Sequence, residues 1–402
     1  MDTKYLVRAA IPIAVGAIVM SGCGGSSSGG GSSSGGGGKS YSIGFQGPLS
    51  GGVADLGINE RNAVQLAIEQ ANAAKTLPYT IGFQQADDQG GADGSPPAAR
   101  KLTGDSSVIA VVGPSFSGAS NAAGKIYADA DLLMATPSAT LPDLVDHGFT
   151  TFYRGIADDN SQGPPDADYL VKVAKKTKIF LIDDTTDYGK GLSAGFKGEV
   201  SKAGGSIVGS DSAPQTSGCV AGATGSPSQY PSEASKVKNS GADAVFYAGY
   251  DCDFALLTKA LRNAGFTGQL MSGDGSKSDT YLKNGKPANE GALLSCQCSD
   301  IASNPKGTDF VNAYTAKFGV APGTYSAEAY DVTNAIISVL KSLGASPTRD
   351  AVVKGYAAVD YQGLTKEIKF GSDHNLTTQT AYLYQVKNGK FDYLGDLPTL
   401  TK

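Results

Sequence analysis

The sequence predicts an α/β protein of two domains, each a parallel sheet wrapped by helices. Short apolar, β-prone runs recur along the chain with helical periodicities between most of them, and strand, helix, strand in that order requires parallel pairing through crossover helices. The chain is also long for one core. Of its 402 residues, about 360 follow an N-terminal leader and tether, and two domains of ordinary size are expected of that length.

Lys4 and Arg8 give a short basic start and Ala9 to Met20 an apolar run, the layout of a signal segment and too short to span a bilayer comfortably. Ser21 and Gly22 then lead into Cys23, an order that resembles the lipobox of bacterial lipoproteins, in which the cysteine is acylated and becomes the mature N-terminus. Residues 24 to 38 are only Gly and Ser, which bury no apolar surface and form a flexible coil with a reach of about 20 Å. The expected organisation is therefore a leader over 1–22, a lipidated Cys23 with its tether over 23–40, and folded chain from about residue 41.

The folded part opens on the strand YSIGFQG (41 to 47). The segment NERNAVQLAIEQANAA follows, with Val64, Ala67, Ile68 and Ala71 on one helical face and Asn62, Gln65, Glu69 and Asn72 on the other. Further strands are expected at YTIGFQQADD (79 to 88), VIAVVGP (108 to 114), LLMATP (132 to 137), KIFLIDD (178 to 184), SIVGSDS (206 to 212), DAVFYAG (243 to 249) and LMSGD (270 to 274). FALLTKALRNAGF and DFVNAYTAKFG are helical patterns, each with a glycine placed for a left-handed cap. AYLYQVKNGKFDYLG sets Asn-Gly between two alternating runs, a hairpin signal.

Losing Asp2, Lys4 and Arg8 with the leader takes the formal charge from −5 to −6, a moderately acidic surface that argues against nucleic acid. Cys219, Cys252, Cys296 and Cys298 remain, an even number in an exported chain, which favours disulfides over metal or redox chemistry. Three pairings are open. A bridge between Cys296 and Cys298 would be strained in an extended strand, so a partner at Cys219 or Cys252 is expected for one of them.

Ligands of open parallel sheets lie beyond the carboxyl ends of strands. GPSFSGAS, Gly113 to Ser120, leaves a strand and enters a helix, where backbone amides and the Ser115 and Ser117 hydroxyls form a cradle for an anion. It lacks the Gly-Lys-Ser/Thr of a phosphate loop and any Lys or Arg, so a carboxylate suits it better than a polyphosphate. TPSATLPDL, Thr136 to Leu144, follows the next strand with hydroxyl and proline turn chemistry. Enzyme signatures fail on position. Gly189-x-Gly191-x-x-Ala194 with Asp211 downstream mimics a dinucleotide fingerprint, and Gly191-Leu-Ser193-Ala-Gly195 a nucleophile elbow. Both lie too far past the strand for the tight turn each chemistry needs. His147 and His374 have no zinc spacing, and His374 is the one candidate base for Ser193. No cofactor, metal or catalytic residue is expected.

GPLSGGVADLGINERNAVQLAIEQANAA, GPSFSGASNAAGKIYADADLLMATPSAT, FYRGIADDNSQG and DYGKGLSAGFKGEV occur in this order, and the order resembles the type I periplasmic binding proteins of the branched-chain amino acid family, extracytoplasmic receptors of ABC importers. The resemblance runs from residue 41 to the C-terminus. It implies a two-lobed type I periplasmic-binding-protein fold with three inter-lobe crossings: lobe 1 over 41–157 and 299–370, lobe 2 over 158–298 and 371–402. It further implies that Ser117 holds a ligand carboxylate, joined by the Ser138, Ala139 and Thr140 turn, that Tyr188 and Tyr250 line the cleft, and that Asp274, supported by Asp159, accepts an ammonium. Two departures stand out: Leu56 occupies a place where many relatives carry an aromatic, and Asp274 is one methylene shorter than the usual Glu. The implied partners are an amino acid or similar zwitterion, a membrane permease and the lipid anchor. The implied location is the outer or periplasmic face of the cell membrane, and the chain is expected to be monomeric. A ligand sensor of the same fold that signals to a partner is the alternative.

Overall fold

All seven residues of β1 (Tyr41–Gly47) are buried, as a strand covered by helices on both faces requires. The structure, a computed structural model, describes residues 40–220, 223–302 and 304–402; the leader, Cys23 and the Gly/Ser run lie outside them. After β1 the chain alternates as α1 (Ala54–Ala73), β2 (Ile81–Asp87), α2 (Ser95–Gly104), β3 (Val108–Val112), α3 (Ser117–Asp129), β4 (Leu133–Thr136) and β5 (Phe152–Arg154). These strands pair in parallel in the order β2-β1-β3-β4-β5.

The second sheet is entered through α4 (Gly163–Asp168). It is built from β6 (Lys178–Asp183), α5 (Asp187–Val200), β7 (Ser206–Ser212), α6 (Tyr230–Asn239), β8 (Ala244–Ala248), α7 (Asp251–Asn263), β9 (Gln269–Ser272), α8 (Asp279–Gly285) and β10 (Leu293–Cys296). The chain then returns to the first sheet with α9 (Thr308–Phe318), α10 (Ser326–Leu343) and α11 (Arg349–Ala357), whose apolar faces share one core with β1, β3 and α1. A small antiparallel pair, β11 (Asp360–Gln362) and β12 (Glu367–Lys369), precedes the hairpin β13 (Tyr382–Lys387) and β14 (Lys390–Asp396) and a closing turn, α12 (Leu397–Leu400). The hairpin adds antiparallel to β10, giving β14-β13-β10-β9-β8-β6-β7. Asn388 and Gly389 take φ of 53° and 71°, the two left-handed residues that a tight hairpin turn requires. The result is a two-lobed α/β fold with parallel-rich sheets. No helix among the described residues is long and apolar enough to cross a membrane.

The structure departs from the sequence reading in three respects. Asn62, assigned to the solvent face of α1, is buried, because α1 packs against α10 as well as against its sheet. Strands β5, β10, β11 and β12 were not expected; each is only three or four residues long, too short to show a period. The disulfides are Cys219–Cys252 and Cys296–Cys298, not the cross-pairing expected. Strand β10 stops at Cys296 and the chain bends at Gln297 and Cys298, bringing the two Cα atoms to 5.0 Å. The objection to a Cys-x-Cys bridge held for an extended chain, and the chain there is not extended.

Candidate functional site

Strand order reverses between β1 and β3 in the first sheet and between β6 and β8 in the second, and crevices at such switch points are where open sheets bind ligands. Every expected site residue follows the carboxyl end of a strand: Ser117 after β3, the Ser138–Thr140 turn after β4, Asp159 after β5, Tyr188 after β6, Tyr250 after β8 and Asp274 after β9. All eight are buried, among them Ser117, Ser138, Asp159, Tyr188, Tyr250 and Asp274. Of these six, all but Asp159 line one small enclosed cavity together with Leu56, Ser115, Phe116, Gly275 and Tyr325.

The first sheet supplies the hydroxyl side of that cavity. Ser117 opens α3, and its Oγ accepts from the Leu141 amide at 3.2 Å, leaving its proton to donate. The helix start adds a partial positive charge. Gly113 just before it sits at φ +112°, and a Cβ there would lie 2.1 Å from the Gln46 carbonyl, so the approach of β3 to β1 demands glycine. The Ser138 hydroxyl donates to the Ser115 carbonyl at 2.7 Å. Ala139 has both main-chain groups committed, its amide to the Thr136 hydroxyl at 2.9 Å and its carbonyl to Arg154 at 3.1 Å, so it shapes the turn. The Thr140 hydroxyl is buried without a hydrogen-bond partner. Below them Glu60 takes the Ser115 hydroxyl at 2.6 Å, and burial pushes its carboxyl up to about 8.

The second sheet supplies Asp274 to the acidic side, and the segment after β5 supplies Asp159. Asp274 accepts from the Tyr188 hydroxyl at 2.8 Å on Oδ1 and from the Tyr325 hydroxyl on Oδ2. Burial pushes its carboxyl up, opposed by those two phenols. Tyr188 also accepts the Gly275 amide at 3.1 Å, which fixes its hydroxyl on Asp274. Asp159 is fully buried with neither carboxylate oxygen hydrogen-bonded; burial first, and then the charge of Asp274, hold it well above the usual carboxylate range. Two buried carboxyls that repel each other favour an incoming cation.

The sequence reading missed Tyr325, Phe116 and Arg154. Tyr325 sits just before α10 at φ 66°, and its reach to Asp274 joins the two sheets' elements. Phe116 stacks on Tyr250 with ring centroids 4.4 Å apart. Arg154, fully buried, donates to the Ala139, Leu141 and Pro142 carbonyls at 3.1, 2.6 and 3.1 Å and to Asn375 at 2.9 Å, so it holds the whole 139–142 turn in place. A lone arginine closing a strand was the available signal. Ser193 and Gly189 lie inside α5, and His374 stacks on Tyr153 at 4.2 Å with Nδ1 on the Phe152 carbonyl, so neither enzyme-like pattern forms a site.

Polar contacts also cross from one sheet's elements to the other's. The Gly52 amide donates to the Cys219 carbonyl at 2.8 Å, Asn121 to Asp187 at 3.0 Å, and Thr280 to Asp55 at 2.5 Å. A Cβ on Gly52 would lie 2.9 Å from the Cys219 Cα, so only glycine permits that backbone approach.

Comparison with known proteins agrees with the fold. Residues 40–390 match the family described as periplasmic binding protein. The Leu/Ile/Val-binding protein BraC3 of Rhizobium johnstonii is 26% identical over 87% of this chain and 92% of its own. The leucine-, isoleucine-, valine-, threonine- and alanine-binding protein of Pseudomonas aeruginosa is 27% identical over 76% of this chain and 79% of its own. Among solved structures, the branched-chain amino acid transporter substrate-binding protein LivJ of Streptococcus pneumoniae, in complex with isoleucine, superimposes with a TM-score of 0.79 at 26% identity, covering 89% of this chain and all of that one.

Proposed function

The chain belongs to the periplasmic binding protein family, solute-binding proteins, and from that premise we propose that it captures an amino acid or amino-acid-like zwitterion between its lobes and delivers it to a membrane permease of an ABC importer. The observation that carries this reading is the division of the site by charge. On one side stand the Ser117 hydroxyl at a helix start and the unpartnered Thr140 hydroxyl, which suit a carboxylate. Facing Ser117 is Asp274, while Asp159, whose amide donates to the Thr140 carbonyl at 3.0 Å, lies beside the turn; both carboxyls suit an ammonium. The crossings near 157/158, 298/299 and 370/371 act as the hinge, and closure brings the two halves of the site together. Cys23 carries the lipid, and the Gly/Ser coil lets the receptor open, close and dock while its anchor stays in the membrane. Relatives named for leucine, isoleucine and valine support the amino acid class. The protein acts as a carrier, with no catalytic step.

The test is a thermal-shift panel of purified protein against amino acids, amides, polyamines and small carboxylates. A ligand that prefers the folded, closed form raises Tm according to its concentration over Kd. A shift confined to amino acids supports the reading; a folded protein that responds to none of them refutes it.

A further inference from the structure

The cavity enclosed by Ser117, Ser138 and Asp274 measures only about 10 Å³, the room one water requires. On its far side lies a much larger chamber of about 570 Å³, between the loop after β2, the start of α3 and the loop before α5. Among the described residues, two line both spaces: Phe116, from the first sheet's elements, and Tyr250, from the second's. Their rings meet at 4.4 Å with an interplanar angle of 32°, and each residue is 5% exposed. The pair is a partition with one leaf from each lobe. Leu56 and Tyr325, both buried, close other walls of the inner space.

Resting on the zwitterion reading above, we infer that the Phe116–Tyr250 partition determines which side chains the site accepts, and that the ligand is an α-amino acid with a short side chain, of glycine, alanine or serine size. The carboxylate and ammonium anchors lie on the inner side of the partition, so a side chain starts there. An apolar group of benzene size, close to a leucine side chain in bulk, needs a space on the order of 150 Å³. To provide it with the lobes together, the two rings must give up their contact and open the inner space to the chamber. The headgroup already exceeds the inner space, so its walls must give way to admit it; beyond the headgroup a methyl or hydroxymethyl group asks for far less than a leucine side chain and costs the two rings less of their contact. Phe116 thus fills from one side the room that Leu56, in place of a ring, releases on the other.

The experiment is isothermal titration of the purified wild-type protein with glycine, L-alanine, L-serine, L-norvaline and L-leucine, repeated with Phe116→Ala and with the gentler Phe116→Leu. The expected wild-type order has L-alanine or L-serine at least tenfold tighter than L-leucine. Both variants should join the two spaces and narrow or invert that ratio, Phe116→Ala the more, each unfolding cooperatively. A wild type that prefers L-leucine, or a ratio unmoved in both folded variants, overturns the partition while leaving the zwitterion site standing. No heat from any of the five with folded wild type overturns the short-side-chain inference, and the thermal-shift panel then decides whether the zwitterion site stands.

Discussion

Replacing Asp274 with asparagine removes a charge from the site while leaving its shape. The side chain is 3% exposed, and its two oxygens take the Tyr188 and Tyr325 phenols. In Asp274→Asn the amide oxygen still accepts one phenol, and the other hydroxyl can turn to accept from the amide nitrogen. The fold should therefore hold to within about 1 kcal/mol, since the lost charge-assisted bonds are offset by relief from burying a carboxylate. Binding is affected differently. A hydrogen bond between a carboxylate and an ammonium contributes about 1.5 to 3 kcal/mol, which predicts a Kd roughly 10 to 150 times weaker. Titration calorimetry of wild type and variant with the amino acid selected by thermal shift measures it, with Tm as the control for folding. A second signature separates charge from shape. Burial raises the Asp274 carboxyl, so wild-type affinity should fall on the acid side earlier than an ordinary carboxylate allows, and the variant should keep only the part of that limb that Asp159 carries. A folded variant whose Kd stays within about threefold of wild type, less than 0.7 kcal/mol, would show that Asp274 does not hold the ammonium.

Other consequences are as direct. The Cys219–Cys252 bridge spans 33 residues and Cys296–Cys298 only 2, so serine pairs should cost about 3 to 4 kcal/mol at the first and about 1 at the second on the loop-entropy model; urea midpoints showing equal losses would contradict it. Arg154→Met strands three buried carbonyls and Asn375 and should cost about 3 to 5 kcal/mol, with Arg154→Lys failing to rescue because one ammonium cannot reproduce the guanidinium fork; a chemical-denaturation loss below about 1 kcal/mol would remove its structural role. For pH, burial lifts Glu60 to about 8 and Asp184 and Asp251 to about 7. A raised folded pKa gives stability that is complete below the unfolded value and is lost as pH climbs to the folded one, at up to about 1.4 kcal/mol per unit and group. The carboxyls held low, Asp87, Asp211 and Asp373, act below that range. Calorimetric Tm should accordingly fall from pH 5 to pH 8, less steeply in Asp184→Asn, and a Tm that rises over the interval would reverse the sign of the argument.

What the sequence disclosed and what it hid follow from how local each feature is. β3 and β8 read clearly because a strand buried on both faces is largely apolar, and VIAVV and AVFYA are. The hairpin read clearly because Asn-Gly is nearly obligatory for its turn. β5 is FYR and β10 is LLSC; runs of three or four carry no period, and only their neighbours in the sheet make them strands. The lining of the candidate site was legible where it is tied to strand ends, as at Ser117 and Asp274, and opaque where it depends on tertiary approach. Tyr325 lies 51 residues from Asp274 along the chain and nothing local marks it. The same holds for the cysteines: spacing cannot tell that β10 ends at Cys296.

The division of the site between the two sheets also bears on how such a receptor would respond to its ligand. Several of the bonds that cross from one lobe to the other, such as Gly52 to Cys219, Asn121 to Asp187 and Thr280 to Asp55, are neutral or partly exposed, each contributing about 0.5 to 1.5 kcal/mol net. A zwitterion held by Ser117 and Thr140 on one lobe and by Asp274 on the other adds charge-assisted bonds that exist only when both lobes are in place, and a ligand shifts an equilibrium only by its differential affinity for the two states. Tyr325 sharpens that difference. Carried before α10 with the first sheet's elements, it reaches Asp274 on the second, so the carboxylate that meets the ammonium is itself completed by closure. Tyr325→Phe should therefore speed ligand dissociation more than it slows association in stopped-flow measurements, since the bond it deletes forms only once the lobes have met. An association rate that falls while dissociation is unchanged would place Tyr325 in the open site instead.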